Sequence, residues 1–590
     1  MACSTIGIVG IGPRGLSAME SLFLEASRYK SMVKVLAFEP FNYPGAGPVY
    51  DLGQPKTNWL NVTTRALDIP AREEVSFHDF HIPYFPTFQE WSGYNAKKLD
   101  KEAIDKFPLR SELGQYLHDR YLSITAVLKP LGLYNLIKRE VTTITFTNES
   151  VSITDSGDNS HTVDEIVLCV GHQPTYQDEQ MAHWLKRSND SAELQLFKMP
   201  YPVKMFQDKL GNTSRPSVGV RGFGLAMIDV CRALSEGVGG TFTVMDTMTR
   251  KMVYEPSGKE PDRIVPFSLD GLPMAPKPLN RKIDEHYVVT DEELTNYVAF
   301  IDNRLNSTNT INSPEFLIKA ITPIIAKKFT QLSNLTIPHK LSNQGLETII
   351  EAWLLDSDFE HDLILPKQLS TKTLLQKFVA MATHTTKISL DYVIGHVWRH
   401  CQPTMYKTLS FAPLKDEVIA KVIDLDERLK RYSYGPPVDS LQQLLALSDV
   451  NLLTFDVVNN PDVTATKEGW ELSKGEESIH VDTMINSVLD TPKLSLVKSK
   501  LIEQLREDSI VQPLHNDLAI ETQKDGTLIS RSEHLKLPIS VLGRLAKGTL
   551  IGVDAIAECF GVRSKFWAKG VFHRVLNAET TTQTSASKPT

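Results

Sequence analysis

Residues 5–17 read TIGIVGIGPRGLS, and this stretch decides the fold. Residues 5–10 are apolar enough for a buried strand, residues 14–29 carry a helical period, and VKVLAFE at 33–39 reads as a second strand. Strand, glycine turn, helix and strand together make a βαβ unit, the usual opening of a doubly wound α/β domain. In that setting the glycines of Gly10-Ile11-Gly12-Pro13-Arg14-Gly15 have separate duties. Gly10 allows the tight turn, Gly12 lets a pyrophosphate approach the backbone, and Gly15 lets helix and strand pack closely. The helix that follows offers unpaired N–H groups and the positive end of its dipole to phosphate. Gly10, Gly12, Pro13, Arg14 and Gly15 are therefore the candidate phosphate contacts. Glu39 ends the second strand, where an acid accepts hydrogen bonds from an adenosine ribose and favours one without a 2′-phosphate. The competing reading of Glu39 is a solvated strand end.

Outward from this unit, Pro40 to about Tyr94 is rich in Gly, Pro and Asn, a long irregular stretch of the kind that is more often functional than idle. Residues 139–170 alternate like strands and end in DEIVLCVG. A second strand–glycine–helix unit starts at Ser217 in SVGVRGFGLAMIDVCRALSEG. Amphipathic runs such as PEFLIKAITPIIAKKF and DEVIAKVIDLDERLKRY make 285–450 a mostly helical insert, and strand character returns in LLTFDVV, ESIHVDTMI and LPISVLG. The expected division is a first nucleotide-binding part over 1–200, a second unit over 201–284, the insert over 285–450, a return to the α/β core over 451–575, and a disordered Thr/Ser-rich tail over 576–590.

With 590 residues, several such lobes fit. The net charge is −8 and the basic residues are scattered, which makes nucleic acid an unexpected partner. Five cysteines form no CxxC pair, which disfavours a disulfide-reducing flavoenzyme and fits a reducing compartment. The N-terminus lacks a basic region, Pro13 and Arg14 interrupt its apolar run, and no run reaches the length of a membrane span. The expectation is a cytoplasmic protein, neither exported nor in a membrane, with its oligomeric state open.

Several further blocks fall in a familiar order. They are Gly10–Ser17; Gly45, Gly47 and Tyr50 followed by Leu60, Asn61 and Val62; and Phe107, Pro108, Arg110, Gly114 and Tyr116. Cys169-Val170-Gly171-His172 follows, with Val170 where Thr is usual, and then residues 254–261, Tyr434–Pro437 and GRLAKGTLIGVDAI at 543–556. In these blocks the chain resembles the FAD/NAD(P)-binding proteins, two-nucleotide flavin oxidoreductases related to the flavin-dependent N-hydroxylating monooxygenases. The resemblance implies an FAD-binding Rossmann-type domain with a second nucleotide-binding α/β unit, FAD as cofactor, and NADPH or NADH as reductant. It draws Gly47, Asn61, Val62, Arg110 and Gly171 toward the flavin nucleotide. Asn61 and Arg110 carry groups able to bond flavin carbonyls or phosphate oxygens; alternatively Asn61 is a turn residue and Arg110 forms an ion pair on a helix. His172 titrates near neutrality in principle, although a structural turn histidine competes with a catalytic one. Backbone N–H groups of Gly552 and Val553 at a helix start would face the flavin ring, with Asp554 capping that helix.

Gly219, Gly222 and Gly224 mark the second glycine turn, and Gly222 and Gly224 are its candidate contacts. Met227 takes the sixth position, where the strict fingerprint has Gly or Ala, and Ala226 stands where the resembling block has Thr. The strand after this unit's helix, TFTVMDTMTRKM, leads to Arg250 and Lys251, candidate acceptors of a 2′-phosphate. No GxSxG elbow, HExxH helix or Walker loop is present. His396 and His400 have the spacing of two helical metal ligands but lack an acid between them and a third ligand, so a histidine-bearing helix is the expectation. Two functions follow. One is an FAD-dependent oxidoreductase reduced by NAD(P)H, a monooxygenase of a small amine or amino acid whose pocket lies between the α/β core and the insert. The other is a non-catalytic nucleotide-binding protein that engages a partner through the insert.

Overall fold

A computed structural model of the chain describes residues 3–586 apart from 79, 96–97, 148–149, 191–193, 211–214, 309, 516–517 and 530–536. Two parallel sheets organise it. The first holds β1 (Ser4–Val9), β2 (Val33–Phe38), β3 (Tyr134–Ile137), β4 (Glu165–Leu168) and β9 (Ile539–Val541) in the order β9-β4-β1-β2-β3. The second holds β5 (Gln195–Phe197), β6 (Ser217–Arg221), β7 (Arg263–Phe267) and β8 (Thr483–Asn486) in the order β5-β8-β6-β7. Every pairing within both sheets is parallel. Parallel strands need crossovers on their faces, and their side chains are buried on both sides, which is why IGIV and IVL read as unbroken apolar runs.

Helix α1 (Pro13–Tyr29) crosses from β1 to β2 and is nearly all buried, with Glu20 inside the protein. That carboxylate is held by Arg120 of α2 (Arg110–Leu128) at 2.7 and 2.8 Å and by Arg72 at 3.3 Å. A charge can lie at this depth only when paired in this way. One core cluster packs α1, α2 and the C-terminal helix on one face of the first sheet, and another packs an antiparallel three-stranded meander of residues 141–163 on the other.

Sheet membership corrects the expected boundaries. The stretch before residue 200 already belongs to the second unit, since β5 pairs with β8 and Trp184 packs on Phe267 and Trp470. Residues 462–486 return to the second sheet, through β8, and not to the first; only β9 rejoins the first. A short strand's apolar pattern does not say which sheet it joins. TFTV and MVYE form an antiparallel hairpin outside both parallel sheets. The insert comprises helices between Arg281 and Asp449, among them α4 (Leu390–Leu409), α5 (Asp416–Ser433) and α6 (Val438–Asp449), with α3 (Leu225–Ala233) preceding it in the second unit. One continuous cluster of buried residues joins these helices to β5, β6 and α3, so insert and second unit share a core. The tail expected to be disordered is, up to Ala586, a continuation of α7 (Val562–Ala586), since a helix once nucleated adds one hydrogen bond per residue. Residues 587–590 lie outside the described residues.

Candidate nucleotide-binding sites

At the end of β1 the chain turns on Gly10, whose φ of +89° suits only glycine and whose N–H donates to the Phe38 carbonyl at 2.8 Å. A Cβ there would stand 2.5 Å from the Cys169 carbonyl oxygen, so Gly10 also lets β4 approach. Gly12 is the extended N-cap of α1, with Pro13 following, and no side chain caps the helix. The first amides of α1 therefore keep free donors, which is the arrangement that attracts an anion. A Cβ on Gly12 would meet nothing closer than the Gly47 Cα at 3.9 Å, whereas one on Gly15 would collide with the Gly10 carbonyl. Gly12 and Gly47 thus face each other across a groove bordered by bare backbone.

Glu39 is buried, and its carboxylate accepts the Ile11 N–H at 2.7 Å and the Phe41 N–H at 3.1 Å. Burial raises its pKa, partly opposed by those two bonds. It is therefore no solvated strand end. It fixes the glycine turn to the end of β2. Arg14 donates to the Glu558 carbonyl, and its Nε has no partner among the described residues.

The structure engages the other expected residues in the seams between units. Asn61 donates to the Tyr434 carbonyl at 2.9 Å, joining the first unit to the insert, with half-buried Val62 beside it. Arg110 leads α2 and donates to Asp229 of α3 at 2.7 Å, with its guanidinium 5.0 Å from the Tyr201 ring. Tyr201 donates to the same Asp229 oxygen at 2.6 Å. In this structure Arg110 is accordingly an interdomain ion pair. Gly171 follows β4 at φ +64° with open space around it.

Gly552 and Val553 do not start a helix; the next one begins at Ile556 with Ala555 as N-cap. A Cβ on Gly552 would lie 2.5 Å from Tyr406 Cγ, so that glycine serves close packing on α4. Asp554 caps nothing and instead pairs with Lys430 at 2.8 Å, Arg544 at 2.9 Å and Lys547 at 3.3 Å. These cations hold its carboxyl far below the usual range. His172, at the surface, faces Arg544 at 3.4 Å, and local desolvation together with that cation lowers its pKa.

The second turn repeats the first. Gly222 has φ +111°, its N–H donates to the Phe267 carbonyl at 2.7 Å, and Gly224 is the extended, uncapped N-cap of α3 with nothing within 4 Å of its missing Cβ. Met227, the departure from the strict fingerprint, is buried in the core. Arg250 is already held by Asp439 through two bonds of 2.8 Å and lies in the turn of the hairpin, not at the end of a parallel strand, so it does not stand in the position expected of it; Lys251 is exposed.

His396 is buried in the core beside Tyr392, and His400 lies 3.4 Å from Asp284. Among the described residues no three His, Cys, Asp or Glu gather as metal ligands, and no helix is long and apolar enough to cross a membrane. A cleft of about 1300 Å³ opens between the second unit and the insert, bordered by Phe223, Ser268, Asp270, Trp353 and Arg431. Ser268 and Ser487, whose Oγ would be 2.6 Å from a Cβ on Gly222, escaped the reading of the sequence. Ser487 is far along the chain from the glycines it touches, and no local pattern marks it.

Residues 7–173 match a family model described as FAD-NAD(P)-binding. That segment is an FAD/NAD(P)-binding domain. The chain is 27% identical to a nitrosuccinic acid synthase of Aspergillus oryzae, over 55% of this chain and 48% of that protein. It is 24% identical to an L-aspartate N-monooxygenase (nitrosuccinate-forming) of Streptomyces davaonensis, over 47% of this chain and 45% of that one. The likeness thus spans about half the length of these relatives. Among solved structures, an ornithine hydroxylase of Pseudomonas aeruginosa superposes over 97% of this chain and 100% of its own, at 12% identity and a TM-score of 0.45, too loosely to bear on function.

Proposed function

We propose that the chain is an FAD-dependent oxidoreductase that draws electrons from NADPH or NADH and oxygenates the amino group of a small amino acid. The observation that carries this reading is the repeat. Two parallel sheets each contain a strand, a positive-φ glycine and an uncapped helix N-terminus in succession, and the two lie against each other through the Arg110–Asp229 pair. One such unit binds one dinucleotide; two suit a cofactor and its reductant.

The residues present fit FAD in the first unit. Arg14 Nε, Thr57 Oγ1, Asn58 Oδ1 and Thr63 Oγ1, all in the first unit, are buried without partners among the described residues, unmet polar atoms of the kind a polar cofactor would satisfy. The turn from Gly10 to Gly15 and the α1 terminus would hold the pyrophosphate, with Glu39 on the ribose. When bound, FAD supplies electron acceptance and oxygen activation. The chain's own work is to hold, align and keep water out. At the seam, Trp59, Leu225 and Pro436 enclose only about 10 Å³ beside Asn61 and Arg110, and the Arg232 guanidinium lies 3.9 Å from the Trp59 ring centroid. That is room for a single water at most. The amino-acid substrate is supported by the two aspartate-related proteins and by nothing in the site geometry.

The test is an absorbance spectrum of the purified protein, followed anaerobically with NADPH and then NADH, and then in air with a panel of amino acids that includes L-aspartate. Flavin bands that bleach with a nucleotide, and nucleotide consumption matched by N-oxygenated product, support the reading. Bound flavin that neither nucleotide reduces, with or without amino acids, favours the nucleotide-binding module. A protein that cannot be loaded with FAD refutes both.

A further inference from the structure

The two units share a construction closely enough for positions to be transferred between them. In the first, Val9 pairs with Phe38, Gly10 N–H donates to the Phe38 carbonyl, and the next residue is Glu39. In the second, Arg221 pairs with Phe267, Gly222 N–H donates to the Phe267 carbonyl, and the next residue is Ser268. Ser268 therefore stands in the second unit where Glu39 stands in the first. An acid at this position accepts the ribose 2′-hydroxyl and repels a 2′-phosphate; a neutral residue with a cation nearby does the reverse.

The surroundings supply that cation. Ser268 is half-buried at the carboxyl end of β7; its Oγ accepts the Gly271 N–H at 3.0 Å and its hydroxyl donates to Asp270 Oδ1 at 3.4 Å, which shapes the turn that follows. Arg431, near the end of α5 in the insert, reaches over the same cleft and pairs with Asp270, whose carboxylate also accepts the Leu272 N–H at 3.0 Å. Phe223, from the glycine turn itself, lines that cleft too. A guanidinium has five N–H donors, so one that already contacts Asp270 retains donors for a phosphate.

We infer that Ser268 occupies the ribose-reading position of the second nucleotide site and that Arg431 of the insert receives a 2′-phosphate there, so that the unit selects NADPH over NADH. This rests on the two-nucleotide reading above. It also gives the insert a part in coenzyme choice, and it replaces Arg250, which lies on the hairpin and is bound to Asp439.

The experiment is isothermal titration of the FAD-loaded protein with 2′,5′-ADP and with 5′-AMP, which differ only in the 2′-phosphate. The unaltered protein is expected to bind 2′,5′-ADP at least tenfold more tightly, and Ser268→Glu and Arg431→Ala each to shrink that ratio by about tenfold. Flavin content and circular dichroism establish that each variant is folded. Equal affinity for the two probes in the unaltered protein, or a ratio that neither variant moves, overturns the inference. Anaerobic reduction of the same samples separates it from the reading on which it rests. Flavin that bleaches as readily with NADH as with NADPH leaves the two-nucleotide reading standing and removes the ribose assignment. Flavin that neither nucleotide bleaches, in a protein that still prefers 2′,5′-ADP, does the opposite.

Discussion

Replacing Gly10 or Gly12 by alanine separates what the glycine turn does for the fold from what it does for the cofactor. At Gly10, φ is +89° and the new Cβ would lie 2.5 Å from the Cys169 carbonyl oxygen. A side chain held at positive φ costs about 1–2 kcal/mol, and forcing a methyl into packed backbone costs about 1–3 kcal/mol more. Together these are about 2–5 kcal/mol, a fall of roughly 5–15 °C in the melting temperature of a domain this size. At Gly12, φ is −76° and ψ is −165°, both open to alanine, and the Cβ has 3.9 Å of clearance. Alanine is merely a poorer N-cap, a loss of under about 1 kcal/mol. The methyl nevertheless enters the groove that faces Gly47. Displacing one charge-assisted hydrogen bond from phosphate is worth about 1.5–3 kcal/mol, or roughly 10–150-fold in Kd. Gly12→Ala should therefore melt within a few degrees of the unaltered apoprotein yet lose most of its FAD on gel filtration. Gly10→Ala should lose stability and cofactor together. The assay pairs the flavin-to-protein absorbance ratio with the apoprotein melting curve. Gly12→Ala that retains stoichiometric FAD with unchanged Kd would refute the placement of the pyrophosphate at this turn.

Gly224→Ala should leave FAD content intact and slow anaerobic flavin reduction by NAD(P)H, because the space beside that N-cap is open and belongs to the second unit; stopped-flow absorbance measures it. Asp229→Ala should lower the urea midpoint by an amount equal to about 3–5 kcal/mol, since Arg110 and Tyr201 both lose their acceptor, while the double replacement Arg110→Met, Asp229→Leu should recover much of the loss. Lys277 donates to the Gly435 carbonyl at 3.0 Å, and burial, with Arg399 nearby, lowers its pKa to about 7. Between pH 7 and 10.5 the unfolded chain then holds a proton that the folded chain does not, so stability rises with pH across that window. Urea titrations at several pH values should show this slope reduced in Lys277→Met.

What the sequence made legible was local. Gly10 to Glu39 is one continuous βαβ unit, so the turn, its helix and the acid that anchors the turn could all be placed from spacing alone, and β6 with its turn likewise. What remained hidden were relations between distant stretches. The carboxylate that meets Arg110 is Asp229, and the carbonyl that meets Asn61 belongs to Tyr434. A guanidinium suited to a flavin is equally suited to a buried aspartate, and spacing cannot say which acid the fold delivers. The same limit explains the misplaced ribose reader. In sequence, the strand after α3 is TFTV, and the nearest cations behind it are Arg250 and Lys251. In space the hairpin loops out, and the strand that lies beside β6 is β7. The rule that an acid or its absence at the end of the second parallel strand reads the ribose was sound; the strand to which it applies is fixed by hydrogen-bond register, which only the assembled sheet reveals. The register also bears on the part proposed for the insert in the second nucleotide site. The chain leaves the second sheet at the carboxyl end of β7 and rejoins it at β8 on the other side of β6, so the insert starts from the strand ends where nucleotides bind, and Arg431 of the insert lines the cleft that Ser268 borders.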